Sequence, residues 1–113
     1  MARYAVLVYE AVAPADLPHD VQEAHRALPG RVTGLGGRLV AGLTLEQPET
    51  ATAMRGGRVT DGPFAEAEEA LAGVLVVEAR DHDHALSIAE LVPVVRGGVE
   101  VRPLLGVTVP DES

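Results

Sequence analysis

Polar residues that could do chemistry are few in this sequence, and the first is a histidine. His25 lies four residues after Val21 and three before Leu28, on the flank of a row of apolar residues that recur every three or four positions. From there it reaches the edge of a cleft, and an imidazole can exchange protons near neutral pH. A half-buried histidine with one backbone partner would show the same spacing. His25 is the first candidate for a general acid or base.

Asp61 is the second candidate, because the residues after it remove its usual local partner. An aspartate often accepts a hydrogen bond from the backbone N–H two residues later, but that residue here is Pro63, which has none. The carboxylate can instead cap the N–H of Phe64 or Ala65 at the start of a short helical turn. The alternative is a carboxylate that faces a pocket.

A charged pair, Glu100 and Arg102, lies on the last predicted strand. Alternation along a strand puts both on one face and Val99 and Val101 on the other. If the valines meet the helices, the charged pair faces the opposite way. It would then orient a polar ligand or form a structural ion pair at a subunit seam.

Other charged residues give weaker signals. Arg55 and Arg58 flank Gly56-Gly57 as opposed residues of a predicted hairpin, which is unfavourable unless an anion lies between them. A solvated hairpin tip is the simpler interpretation. His82 and His84 are two residues apart, so they diverge on a helix, and no third ligand is near. The sequence therefore predicts no bound metal.

Composition excludes several function classes. All nine basic residues are Arg, cysteine is absent, and the serines are Ser87 and Ser113, so a Schiff base, a thiolate or another covalent intermediate is not expected. The net charge of −8 has no basic cluster set against it, which argues against nucleic acid as a direct partner. The apolar run from Ala5 to Tyr9 is too short to span a membrane. A cytoplasmic protein without a cofactor is expected.

The hydrophobic pattern predicts strands and helices in a regular order. A helix begins near Pro18 and ends at Gly34 to Gly37, with a kink or split at Pro29-Gly30 because proline cannot donate its hydrogen bond. A second helix runs from an Asp81 cap to about Val92. The predicted strands cover Tyr4–Tyr9, Arg38–Leu45, Thr50–Arg55, Arg58–Thr60, Leu71–Ala79 and Val99 to about Leu105.

This order predicts an α+β fold with one domain over residues 1–109 and a frayed tail at 110–113. Two βα units give a ferredoxin-like sheet with both helices on one face, and the Gly56-Gly57 hairpin is an addition to it. The other face would remain open to water unless a second copy covers it. A homodimer is therefore expected.

The stretch from Val59 to Glu66, with the sequence VTDGPFAE, resembles the signature of the DGPF branch of the YCII-related family. Glu69, Leu71 and Gly73 after it, and the stretches 81–86 and 99–104, extend the similarity over nearly the whole chain. The resemblance implies a ferredoxin-like subunit that pairs into a dimeric α+β barrel.

In the wider family a helix histidine and an aspartate face a cleft and have been proposed as acid/base catalysts. His25 and Asp61 match these positions, and Phe64 of the motif, Glu100 and Arg102 are the expected ligand contacts. The resemblance suggests a cofactor-independent enzyme that acts on a small anionic or carbonyl compound in a dimer pocket. The alternative is a non-catalytic binding or regulatory protein associated with extracytoplasmic-function sigma factors, as genes of this family often are.

Overall fold

The computed structural model describes residues 1–110 of the 113-residue chain, so the last three residues of the predicted tail lie outside the described part. Two short 3-10 turns, Pro14–Asp16 and Pro48–Thr50, accompany the main elements. The helices and strands are β1 (Ala2–Glu10), α1 (His19–Gly34), β2 (Arg38–Thr44), β3 (Thr52–Arg55), β4 (Arg58–Asp61), β5 (Leu71–Ala79), α2 (His82–Ala89) and β6 (Gly97–Pro103).

The main sheet has four antiparallel strands in the order β2-β5-β1-β6. The two most apolar strands, β1 and β5, are central, as their sequences predict. Val6 of β1 lies opposite Leu75 on β5 and Val101 on β6, which sets the register across the sheet. The α+β class is confirmed, and the strand order is compatible with the predicted ferredoxin-like fold.

The hydrophobic core lies between one face of this sheet and both helices. Alternate residues of β1 point into it, and Leu28 and Val32 of α1 and Ile88 of α2 are each at most 4% exposed. Since opposed residues on neighbouring strands share a face, Val99 and Val101 of β6 lie on this side of the sheet. Both helices therefore cover the same face.

Helix α1 passes through Pro29 without interruption, so of the predicted kink or split the split is wrong, and the kink stays a prediction. Pro29 has no N–H to donate to the carbonyl of His25. The helix continues because Leu28 and Val32, one on each side of the proline, are both buried against the sheet. The Thr33 hydroxyl also donates to the Pro29 carbonyl at 3.1 Å.

Helix α2 begins as predicted. The Asp81 carboxylate accepts the backbone N–H of His84 at 2.8 Å and so caps the first turn. The α-helix ends at Ala89 rather than Val92, and a tighter turn carries the chain on, in which the N–H of Val92 donates to the Ala89 carbonyl at 3.0 Å. None of the helices among the described residues is long and apolar enough to cross a membrane.

The predicted hairpin is present and forms a separate two-stranded sheet. Arg55 lies opposite Arg58 beside the Gly56-Gly57 turn, and both glycines have positive φ (53° and 84°), as a type I′ turn requires. We call the hairpin Thr52–Asp61 the arm. Because β3 and β4 pair with each other and not with the main sheet, the arm is an addition to the four-stranded core.

The face of the main sheet away from the helices carries its own apolar surface, which we call the open face. Register places Glu78 there between Arg3 and Arg38. Its nonpolar part consists of Ala5, Leu7, Ala41, Leu43, Val74 and Val76, all partly or fully exposed in the single chain. A sheet with helices on one side leaves such a surface for a further partner.

Candidate functional site

The principal cavity lies on the helix side of the sheet, where β1 and β5 meet α1. It measures about 580 Å³, which is within the range of small-molecule sites. Its sides are formed by strand ends and the loops beside them, at residues 10–12, 14, 17, 43–49, 67–68 and 70–73. Its apolar wall includes Val8, Leu28, Leu39, Leu75, Val92 and Pro93.

His25 is on the wall of this cavity. The sequence predicted that it would flank the buried stripe of α1, and the side chain is half-buried there, one turn before buried Leu28. Its ring forms no hydrogen bond or ion pair with any residue in 1–110, so the expected alternative, a backbone partner, is not found. Both ring nitrogens are therefore without a protein partner among the described residues, and the residue lines the cavity.

Glu10 borders the same cavity but is held by the backbone. Its carboxylate accepts the N–H groups of Val95, Arg96 and Val12 at 2.7, 2.8 and 3.3 Å. Partial burial acts to raise the pKa of Glu10, but these backbone donors outweigh it and hold the pKa below its ordinary value. Glu10 therefore ties the end of β1 to the loop before β6, and its oxygens are already occupied.

Further carboxylates surround the opening of the cavity. We call residues Leu45–Glu49 the mouth loop; its Glu46 and Glu49 are exposed and form no ion pair with the described residues. Glu68, on the other side, pairs with Arg96. No arginine belongs to the lining that the described residues form. Glu46 and Glu49 therefore bring two exposed carboxylates without a basic partner among the described residues to this lining, whereas the charge of Glu68 is offset by Arg96.

Asp61 and Phe64 lie outside this lining in the single chain. Asp61 ends β4 at the base of the arm, is exposed, and forms no hydrogen bond or ion pair within residues 1–110, so the predicted cap on Phe64 or Ala65 is not found. Phe64 is 62% exposed, and the Arg55 guanidinium carbon lies 4.1 Å from its ring centroid. The Asp61 carboxylate is free to meet another group.

Glu100 and Arg102 form an ion pair with each other on the open face. They lie opposite Leu7 and Ala5 of β1, away from the principal cavity. Glu100 also borders a shallow depression of about 390 Å³ beside Tyr9. The pair therefore belongs to the open face, and it is separate from His25 in one chain.

His84 has a structural role that the sequence did not reveal. It is 5% exposed, its Nδ1 accepts the N–H of Arg80 at 3.0 Å, and its Nε2 lies 2.7 Å from the Leu35 carbonyl oxygen. A carbonyl only accepts, so Nε2 must donate and carry the proton. This ring joins the end of α1 to the start of α2, and the partner that reveals it is 49 residues away along the chain.

Comparison with models of known protein families gives a match. A family model described as the YCII-related domain matches residues 2–108, which is nearly the whole chain. No curated protein matches it.

Proposed function

Because the chain belongs to the YCII-related domain family, we propose that it is a cofactor-independent enzyme that uses His25 to move a proton on a small molecule in the principal cavity. His25 would act as the general acid or base. Asp61, which lies outside the cavity lining of a single chain, would orient the imidazole or the substrate from the arm of a second copy.

One observation carries the proposal: the unbonded ring of His25 on the wall of a cavity of about 580 Å³. A buried imidazole with a structural task has its nitrogens occupied, as those of His84 are. His25 lacks such partners among the described residues. An imidazole that faces an apolar cavity can take a proton from a substrate carbon or return one.

The charges around the cavity favour one of the two substrate types that the sequence suggests. Glu46 and Glu49 in its lining have no basic partner among the described residues, Glu68 pairs with Arg96, and no arginine lies in the described lining. A free anion would therefore find no unpaired basic group in this lining. We therefore propose a carbonyl compound with an apolar body, from which His25 removes the proton on the carbon next to the carbonyl, leaving the electron pair as an enolate.

We further propose that the working form is a homodimer of the DGPF branch in the cytoplasm. The motif Asp61–Phe64 supports the branch, and the absence of cysteine supports the compartment. The exposed apolar surface of the open face supports the dimer. Glu100, Arg102 and Phe64 would lie where a second chain could complete the ligand contacts.

The proposed proton transfer can be tested without knowledge of the natural substrate. A panel of small ketones, lactones and 2-oxo acids is incubated with the protein in D₂O, and loss of the α-proton signals is followed by ¹H NMR. Wild type should accelerate exchange in at least one carbonyl compound. His25→Ala and Asp61→Asn should abolish it while shifting the free energy of unfolding by less than about 0.5 kcal/mol.

His19→Ala is the matched control, since His19 is on the same helix but is exposed and pairs with Glu23. The His19→Ala protein should catalyse α-proton exchange of the carbonyl compound at the wild-type rate. Exchange that is equally fast in His25→Ala would contradict the proposed role. A loss of about 1–3 kcal/mol of stability in His25→Ala or Asp61→Asn would instead assign these residues to the fold.

A further inference from the structure

The arm is exposed on both faces. Met54 and Val59 face each other across one side and are 73% and 64% exposed. The chain has a radius of gyration of 15.4 Å, whereas a compact domain of 113 residues has about 13 Å. An isolated two-stranded hairpin is marginally stable in water. The arm therefore needs a surface to pack on.

The tip of the arm carries unmatched positive charge. Arg55 and Arg58 are directly opposed on the side away from Met54 and Val59, and neither forms an ion pair with a carboxylate among the described residues. Like charges at opposed positions of a hairpin are destabilising. Carboxylates that contact this tip would remove the repulsion between the two arginines.

The mouth loop carries the complementary charge. Glu46 and Glu49 are exposed at the opening of the principal cavity and have no basic partner in the part of the chain that the structure describes. No ion pair joins the two arginines to the two glutamates within the described residues of one chain, where Arg55 instead lies over the Phe64 ring. A second copy brings a mouth loop to each arm.

We propose that, in the homodimer, the tip of each arm docks at the cavity opening of the other copy, with Arg55 and Arg58 against the partner's Glu46 and Glu49. This rests on the homodimer proposed above. Two-fold symmetry creates the contact twice. Each cavity would then be closed by the other chain, and the arm arginines, paired with Glu46 and Glu49, would leave no free cation there for an anionic substrate.

Two charge-reversed chains test the contact. In one, Arg55→Glu and Arg58→Glu reverse the arm; in the other, Glu46→Arg and Glu49→Arg reverse the mouth loop. Each chain alone juxtaposes like charges in a homodimer, so sedimentation velocity at about 50 mM salt should show dimerisation at least tenfold weaker than wild type. An equimolar mixture restores opposite charges at both contacts and should form a heterodimer with near wild-type affinity.

The mixing experiment distinguishes an arm that contacts the other chain from an arm that contacts the mouth loop of its own chain. If the arm met its own mouth loop, mixing would restore nothing, whereas one chain carrying all four substitutions would recover. The control chain carries Arg26→Glu and Arg31→Glu. It has the same net charge as the arm variant, but its substitutions are at exposed positions of α1. It should dimerise as wild type does.

Three other results would contradict the proposal, and each one shows whether the homodimer or the arm docking is wrong. A wild-type chain that stays monomeric at 100 µM overturns the homodimer and the docking together. A wild-type dimer with both reversed chains dimerising equally well overturns the docking alone. If the mouth variant alters the proton exchange of the carbonyl panel but not dimerisation, Glu46 and Glu49 serve a small molecule and the docking is wrong.

Discussion

At the scale of single residues, Glu78 shows how strand pairing can hold a carboxylate in its charged form. It lies on β5 between Arg3 of β1 and Arg38 of β2, and its two carboxylate oxygens accept their Nε–H groups at 3.2 and 2.8 Å. Hydrogen bonds from Arg38 and then Arg3 lower the pKa of Glu78 from 4.5 to about 2. The three residues are far apart in the sequence, and only the strand register brings them together.

This lowered pKa predicts a pH dependence of stability. A carboxyl group with a lower pKa in the folded state stabilises the fold above its unfolded pKa, and this contribution is lost as the pH falls from about 4.5 towards 2. Glu78→Gln should be less stable than wild type at pH 7, and the difference should shrink through that window. Urea denaturation at several pH values measures it.

Glu23→Gln is the control for this experiment, because Glu23 pairs with His19 while both side chains are more than 60% exposed. Its stability should follow that of wild type at every pH. A difference between Glu78→Gln and wild type that stays constant from pH 7 to pH 2.5 would contradict the role of the Glu78 charge.

The histidines show how far the sequence predicts individual residues. Helical periodicity correctly put His25 at the flank of the buried stripe of α1, because only the spacing within one helix matters there. The same reasoning showed that His82 and His84 diverge, but it could not show that His84 is buried. Its partner Leu35 comes from another element, and local spacing contains no information about that contact.

At the scale of elements, Pro29 shows where a local rule gives way to packing. The rule that proline disturbs a helix interior predicted a kink or a split, but the split is absent, and buried Leu28 and Val32 hold both halves of α1 on the sheet. The Gly56-Gly57 hairpin was predicted correctly, because its turn type depends on the two glycines themselves. Local signals thus identified this turn and the Asp81 cap of α2, but not the partners of Asp61, while tertiary contacts decide helix continuity.

The continuous helix makes Pro29→Ala a stabilising change. Alanine restores the N–H that can donate to the His25 carbonyl and removes the clash of the ring, so the free energy of unfolding should rise by about 1–3 kcal/mol. Chemical denaturation measures this. Pro18→Ala, which changes the N-cap residue before α1, should bring no such gain. Lower stability in Pro29→Ala would show that contacts of the ring at the cavity outweigh the helix bond.

At the scale of the whole molecule, the two sides of the sheet differ in what covers them. The helix side is closed by α1 and α2, and its core residues are almost inaccessible. The open face has apolar residues of three strands in one surface, with the Glu100 and Arg102 ion pair at its β6 side. The alternation of the strands predicted both faces, but no single-chain pattern contains the partner that would cover the second one.

From the open face we therefore predict a dimer in which the two copies meet through this surface. Leu7 lies at its centre, between Val74 and Glu100, so Leu7→Glu should bury an unpaired charge in a dimer and expose it harmlessly in a monomer. Wild type should sediment as a dimer at micromolar concentration, and Leu7→Glu should sediment near 11.8 kDa with an unchanged far-UV circular dichroism spectrum. Leu86→Glu, at an exposed position of α2 on the other side of the sheet, should remain dimeric. A Leu7→Glu chain that dimerises as tightly as wild type would show that the two copies meet through another surface, because a carboxylate without a partner cannot be buried at that position without a cost of several kcal/mol.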